Sequence, residues 1–400
     1  MTTTPIPRPD HRRHVRVDAA DPYARGTARG GQLRAHLPAA LDVYDRLFAL
    51  GGITPARVRD DAERALDAVG EFRPGARAEI EGIADGAGLD VWRLAALNAR
   101  TEILAGSATV PPGECTTLVR RATSVTSTAS TASVTSTAST DSTAVIATDT
   151  RGIAVTPTVP RTFGVQTWDW HVELSAHWHT LESRGGRHTV VGLTEDGILG
   201  KIGINSAGLA LHFNILGHAR DGIGGVPVHV LAAVVLAEAG SVAEAVDLVR
   251  GAPLGSSGSF ALFDGTDATL LDLSPVGVFP VDPDERGLLV RTNHFLTPVP
   301  AAGEKTWLYQ PDSGERHDFV RARLARLQSP PATADALARC LVTGPGEPPV
   351  TCLPDPAEPL GRRWASLATV ALDPAARTAA ILDGTPADLD TGPWRTLTAG

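Results

Sequence analysis

The chain has 400 residues, of which 42% are hydrophobic and 20% charged, and it carries a formal net charge of −9. That profile suits an ordinary globular protein of one large domain or two smaller ones. The acidic balance leaves no basic excess to neutralise phosphates, which excludes nucleic acid as the main partner.

Met1 to Val17 holds Arg8, Arg12, Arg13 and Arg16 but lacks the apolar core of a secretory signal. The most apolar run, Val226 to Ala239, falls short of the ~18 residues that span a bilayer, and it contains His229 and Glu238. Cys115, Cys340 and Cys352 are too few for a disulfide framework, and their odd number fits a reducing compartment. A cytoplasmic protein without a membrane partner is expected.

Four helical patterns come first. Pro38–Leu50 spaces Leu41, Tyr44 and Phe48 along one face, and Thr54-Pro55 opens a second helix to about Val69. Pro74 to about Ala87 is the third. After the Gly86-Ala87-Gly88 break, Asp90 caps a fourth that runs to Leu104 with Val91, Leu94, Leu97 and Ile103 as its apolar stripe.

From Cys115 the texture turns to short β-rich runs. Thr189–Thr194, Ile198–Asn205 and Leu209–Ile215 read as consecutive antiparallel strands turned by Asp196-Gly197 and Ala207-Gly208. Two helices follow, an apolar one at Pro227–Ala239 and one at Ser241–Arg250 that opens with a Ser241/Glu244 capping box. Strands are expected at Ser259–Phe263, Ala268–Leu273, Val276–Val281 and Leu288–Thr292. Helices near Gly314–Leu327 and Thr333–Leu341 and strands at Leu367–Leu372 and Thr378–Leu382 complete the chain.

One segment, within residues 123–143, stands apart. Ser124–Thr131 and Ser133–Thr140 are the same octapeptide, SVTSTAST, and its small polar side chains bury too little surface to offset their ordering entropy. A disordered surface insertion is expected, with an extended hairpin as the other reading. The whole pattern is α+β: helices, then enough strands for two antiparallel sheets. Only the short Ala105–Glu114 stretch separates the helical part from the rest.

Three places could carry chemistry. Cys115 follows Pro111-Pro112-Gly113-Glu114 and opens a strand, so its thiol is either an accessible nucleophile at a loop end or a small buried residue. Asp169 lies between Trp168 and Trp170, facing away from both rings if the segment is extended, and it is either a partly desolvated functional carboxylate or a turn residue at a tryptophan-rich core edge. Asn293, in Arg291-Thr292-Asn293-His294-Phe295, either offers its amide N–H to a developing oxyanion or turns the chain. His171, His177 and His179 lack the companion signature of a zinc site, and no metal is expected. The Gly222–Gly225 run lacks a strand–helix dinucleotide context.

Taken in order, several segments resemble one family: Glu79-Ile80-Glu81-Gly82-Ile83-Ala84-Asp85-Gly86-Ala87-Gly88, Leu97-Asn98-Ala99-Arg100-Thr101-Glu102, Gly113-Glu114-Cys115-Thr116-Thr117, Gln166-Thr167-Trp168-Asp169-Trp170, Gly203-Ile204-Asn205-Ser206-Ala207-Gly208-Leu209 and Thr292-Asn293-His294-Phe295. The chain resembles the acyl-coenzyme A:6-aminopenicillanic acid (isopenicillin N) acyltransferases and their autoproteolytic cysteine-hydrolase relatives. The resemblance implies the four-layer αββα sandwich of N-terminal-nucleophile hydrolases, with an N-terminal helical segment. It implies self-cleavage between Glu114 and Cys115, giving residues 1–114 as a smaller fragment that stays associated with a catalytic domain of residues 115–400. Cys115 would be the nucleophile, Asp169 the catalytic aspartate and Asn293 the oxyanion donor. Substrates would be small acyl amides or acyl-coenzyme A as co-substrate, with no other cofactor. Glu114 stands where the family has glycine before the cysteine, and Thr167 where it has asparagine. These departures keep one rival open, a non-catalytic small-molecule binding protein on the same fold.

Overall fold

The computed structural model describes residues 6–107, 115–122, 147–148, 154–155, 161–309 and 312–400. Glu114 and the Ser124–Thr140 repeat lie outside the described residues.

Two large sheets organise the chain. One has eight strands in the order His14–Asp18, Trp178–Arg184, Val190–Glu195, Ile202–Asn205, Ala210–Ile215, Gly258–Phe263, Ala268–Ser274 and Gly277–Val281. The other has six, in the order Leu288–Arg291, Cys115–Arg120, Phe163–His171, Trp364–Asp373, Thr378–Leu382 and Trp394–Thr398. Every pairing in these two sheets is antiparallel except the first, where His14–Asp18 runs parallel to Trp178–Arg184. The sheets stack face to face. Helices Val228–Glu238 and Val242–Arg250 cover the eight-stranded sheet, and Asp312–Ala325 and Ala334–Ala338 cover the six-stranded one. The fold is the expected αββα sandwich.

The N-terminal part is less purely helical than its sequence suggests. Val15 and Val17 alternate with arginines, and the strand they form buries both valines at the edge of the large sheet. Helix Pro22–Leu33 was also not anticipated, because PYARGTARGGQL holds three glycines, each costing about 1 kcal/mol against alanine in an isolated helix. Its packing against helix Pro74–Ala87 supplies the reason. A Cβ on Gly26 or Gly30 would lie 2.2 or 2.1 Å from the carbonyls of Glu79 and Ile83, and one on Gly82 or Gly86 equally close to Tyr23 and Thr27. The two backbones touch, and only glycine permits that approach. Gly82→Ala should therefore destabilise the protein by about 1–3 kcal/mol, read as a lowered denaturation midpoint. An unchanged midpoint would show that the helices can part freely.

Elsewhere the boundaries shift by a few residues. The strand expected from Ile198 begins only at Ile202. The preceding backbone is held by side chains instead of a sheet ladder: Asn98 Oδ1 accepts from Leu199 N at 3.0 Å, and the Arg29 guanidinium donates to the carbonyls of Ile198 and Leu199. Among the described residues no helix is long and apolar enough to cross a membrane.

Candidate active site

Cys115 is the first residue of a strand flanked on both sides within the six-stranded sheet, and its register partner is Trp168. Opposed residues share a face and neighbours alternate. Cys115, Thr117, Gln166, Trp168 and Trp170 therefore point toward the eight-stranded sheet, where Thr117 Oγ1 donates to Asn214 Oδ1 at 2.7 Å and Gln166 Nε2 to Phe213 O at 2.6 Å. Thr116, Thr167 and Asp169 point the other way, so the carboxylate does face opposite to both rings.

The backbone of Cys115 is gripped from several elements. Its N–H donates to Asn293 Oδ1 at 2.8 Å, and its carbonyl accepts from Asn214 Nδ2 at 3.0 Å and Arg316 Nη1 at 3.2 Å. Arg316, from helix Asp312–Ala325, also donates to Asn293 Oδ1 at 3.1 Å and Thr116 Oγ1 at 3.1 Å, and Asp312 fixes its Nε at 2.7 Å. Asn293 is anchored by its own N–H on Ser313 Oγ, 2.8 Å, and by Nδ2 on the Ile215 carbonyl, 2.9 Å. Asp169 approaches through its neighbours. Its carbonyl lies 4.0 Å from Cys115 Sγ, and its Oδ2 accepts from Thr167 Oγ1 at 3.3 Å. That hydroxyl also takes the Thr116 N–H at 3.1 Å, so threonine at this position still ties the nucleophile strand to the carboxylate.

The structure thus brings Cys115, Asp169 and Asn293 together, with two adjustments. Asn293 meets Cys115 through its carboxamide oxygen. The thiol is also not the accessible group that a Pro-Pro-Gly loop suggests: Cys115 is 4% exposed, and burial, followed by the Asp169 charge, pushes its thiol up to about 12. Arg316 and Asn214 carried no motif in the sequence. The one available signal for Asn214 was alternation: His212 and Asn214 interrupt the apolar Leu211, Phe213 and Ile215 on a strand that is buried throughout.

On the inner face, buried charges lie next to the nucleophile. Lys201 Nζ donates to Glu195 Oε1 at 2.6 Å and sits over the Trp168 ring at 4.5 Å. Arg100 and the Tyr44 hydroxyl both donate to the same Glu195 carboxylate, and Trp170 Nε1 donates to Tyr44 at 3.1 Å. Burial pulls Lys201 down to about 8, against the opposing pull of Glu195. Burial alone would raise Glu195, yet Arg100 and Lys201 hold it well below the usual carboxylate range.

The other motif residues build the frame. Asn98 bridges Leu94, Gly197 and Leu199, and Glu102 accepts from Val228 N at 2.9 Å and from Ser256 Oγ. Asn205 clamps its own turn through Ala207 and Leu209 and holds the end of helix Val228–Glu238. Of the three histidines, His179 binds Asp196 at 2.8 Å, His177 lies 4.0 Å from the same carboxylate, and His171 stacks on Trp364. Cys340 is buried with its Sγ on the Ala336 carbonyl, whereas Cys352 lies beside the site: its N–H donates to Ser366 Oγ at 3.0 Å, and Ser366 is the register partner of Asp169.

Residues 159–388, more than half of the chain, match the family model described as acyl-coenzyme A:6-aminopenicillanic acid acyl-transferase. The chain belongs to that family. The family is one of acyl-transfer enzymes. A curated relative, the acyl-coenzyme A:6-aminopenicillanic-acid-acyltransferase 40 kDa form of Emericella nidulans, is 28% identical over 305 residues, 74% of this chain and 73% of that one. Among solved structures, the penicillin V acylase of Agrobacterium tumefaciens aligns with a TM-score of 0.38 at 11% identity, covering 60% of this chain and 82% of its own. A mutant of the conjugated bile acid hydrolase of Clostridium perfringens aligns at 0.36 and 10%, covering 60% and 94%.

Proposed function

We propose that this family member is an autoproteolytic N-terminal-nucleophile cysteine enzyme that moves an acyl group from a small amide or an acyl-coenzyme A thioester to water or an amine. The observation that carries the reading is the grip on Cys115. A cysteine at the first residue of a sheet-interior strand has its nitrogen on Asn293, its carbonyl on Asn214 and Arg316, and its sulfur beside Asp169.

In the first reaction the Cys115 thiol attacks the Glu114 carbonyl. The acyl group shifts from nitrogen to sulfur as the C–N bond breaks, the nitrogen takes up the thiol proton to become an α-amine, and water hydrolyses the thioester, which restores the thiol and leaves Glu114 as a carboxylate. The freed α-amine has a reference pKa of about 7.7–8.0, suited to a general base at neutral pH. In the second reaction the α-amine takes the thiol proton and the sulfur attacks the substrate carbonyl, with Asn293 stabilising the oxyanion. The tetrahedral adduct expels its amine or thiol, which leaves with the proton held by the α-ammonium. Water or an acceptor amine then takes the acyl group from sulfur by the same steps in reverse. Asn293 Oδ1, which already accepts from the Cys115 nitrogen, orients the new amine, and Asp169 supports its charge.

Purified protein should separate on a denaturing gel into residues 1–114 and 115–400 that co-elute under native conditions, with Cys115 as the N-terminus of the larger piece. A single uncut chain after prolonged incubation would sink the autoprocessing claim and favour the non-catalytic reading. Cys340→Ala and Cys352→Ala should each keep processing and turnover within a few-fold of wild type. A loss at either as severe as at Cys115 would mean that the nucleophile is misassigned.

A further inference from the structure

Lys201 and Lys305 are the only lysines in the chain, and Lys201 is buried. A buried ammonium is expensive unless it is paired, and Lys201 has two kinds of partner: the Glu195 carboxylate at 2.6 Å and the faces of Trp168 and Trp170 at 4.5 and 5.5 Å. Glu195 does not need this second cation for neutrality, because Arg100 already donates to both of its oxygens. Glu195 thus faces two cations, Arg100 and Lys201, of which Arg100 also interacts with the buried Glu102 carboxyl, and this leaves Lys201 as the cation directed at the layer between the sheets. Trp168, under the ammonium, is the register partner of Cys115, and their side chains leave the sheet on the same face.

We propose that Lys201 is a charge-positioning residue for the reaction, its ammonium laid over Trp168 on the face where the Cys115 sulfur emerges so that it favours the thiolate during acyl transfer. This rests on Cys115 being the nucleophile, and it adds to the α-amine an electrostatic partner that neither removes nor donates the reacting proton. The charged and titratable groups around it come from every adjoining element. They are Glu195 on its own sheet, Arg100 and Tyr44 from the N-terminal helices, and His229 from helix Val228–Glu238. Across the inner face stands Cys115, and behind that strand are Asp169 and Arg316. His229 is pushed far below its ordinary range by burial and then by Arg100 and Lys201, so it adds no charge at neutral pH. In the uncut chain burial and the Asp169 charge push the thiol up, and the Lys201 and Arg316 charges act in the opposite direction. Burial brings Lys201 down to about 8 in the uncut chain; a thiolate beside it raises that midpoint, and turnover falls on the alkaline side where Lys201 loses its proton and the thiolate its partner.

Two measurements test this, and both use the whole protein. With only two lysines, protein labelled with 13C at lysine Cε gives two resonances, and Lys305→Arg assigns them. Cys115 is capped in one sample with iodoacetamide and in another with iodoacetate, adducts of nearly equal size that differ by one negative charge. The Lys201 midpoint should be higher in the carboxymethyl adduct by about half a pH unit or more, and equal midpoints would overturn the proposal. In the second measurement, capping of Cys115 by iodoacetamide near pH 7 should be roughly tenfold slower in Lys201→Met and largely restored in Lys201→Arg. Equal rates in all three proteins would also overturn it. If Lys201→Met does not fold, the paired adducts of the Lys201-containing protein still decide. Whether the chain is cut is read separately by intact mass, so failure of the nucleophile reading and failure of the lysine reading give different results.

Discussion

Cys115→Ala protein is expected to remain one uncut chain and to show no acyl transfer above background. Both losses have one cause. The first reaction needs a side chain that can attack the Glu114 carbonyl, and the second needs that side chain to hold the acyl group, and a methyl group can do neither. The change should scarcely disturb the fold, because alanine fits a buried strand start and the backbone bonds of residue 115 to Asn293, Asn214 and Arg316 do not involve the side chain. A melting temperature near that of wild type is therefore part of the expected result. Cys115→Ser should cut slowly or not at all, since its hydroxyl is a far weaker acid than the thiol. Complete cutting of the alanine variant would point to a contaminating protease or to a different scissile bond.

Asn293→Ala is the second large effect, expected to lower kcat by ~10²-fold or more in protein that has been cut. Its carboxamide stands at the junction of four elements. It accepts from the Cys115 nitrogen and from Arg316, and it donates to the Ile215 carbonyl. Removing it takes away the proposed oxyanion donor together with the group that aims the α-amine, so kcat should fall more than KM rises. Asn293→Asp separates the two contributions, because it keeps the acceptor oxygen and removes the N–H donor. His294→Ala should be mild. Burial pulls His294 down to about 4, and its Nδ1 is engaged with Ser313 at 2.8 Å, so it is neutral at working pH and serves to hold the Asn293 loop. The reverse ranking, with His294→Ala inactive and Asn293→Ala active, would indicate a cysteine–histidine pair in place of the N-terminal amine.

The candidate site was legible where chemistry leaves a local pattern and obscure where the fold assembles it. Cys115, Asp169 and Asn293 each lie in a short recognisable string, and the structure brings all three to one place. Arg316 was invisible for a physical reason. It sits in the strongly polar helix Asp312–Ala325, where an arginine reads as solvated surface, yet its guanidinium is fully buried against Cys115 and Asn293. The sequence left Cys115 open between an accessible thiol and a small buried residue, because a Pro-Pro-Gly string describes the path of the chain and says nothing of what packs over it; the structure buries it. The same limit applies to helix Pro22–Leu33: its glycines argue against a helix one at a time, and their purpose appears only when the facing glycines of Pro74–Ala87 are in place. The four-layer sandwich was reached through the family-like segments, whereas the alternation and helical spacing alone led only to α+β.

The parallel strand His14–Asp18 has a further consequence if the chain is cut before Cys115. It completes the edge of a sheet whose other strands all lie in residues 178–281, so that sheet is built from both pieces. Before the cut, folding is an event within one molecule and its midpoint does not depend on concentration. Afterwards the same architecture is a complex of two chains, and once unfolded they must find each other again by diffusion. Unfolding of the processed protein should then become irreversible on dilution, with a lifetime set by how slowly the pieces part. Refolding yield would rise with protein concentration for the cut form alone, while the uncut Cys115→Ala chain would refold equally well at any dilution that avoids aggregation.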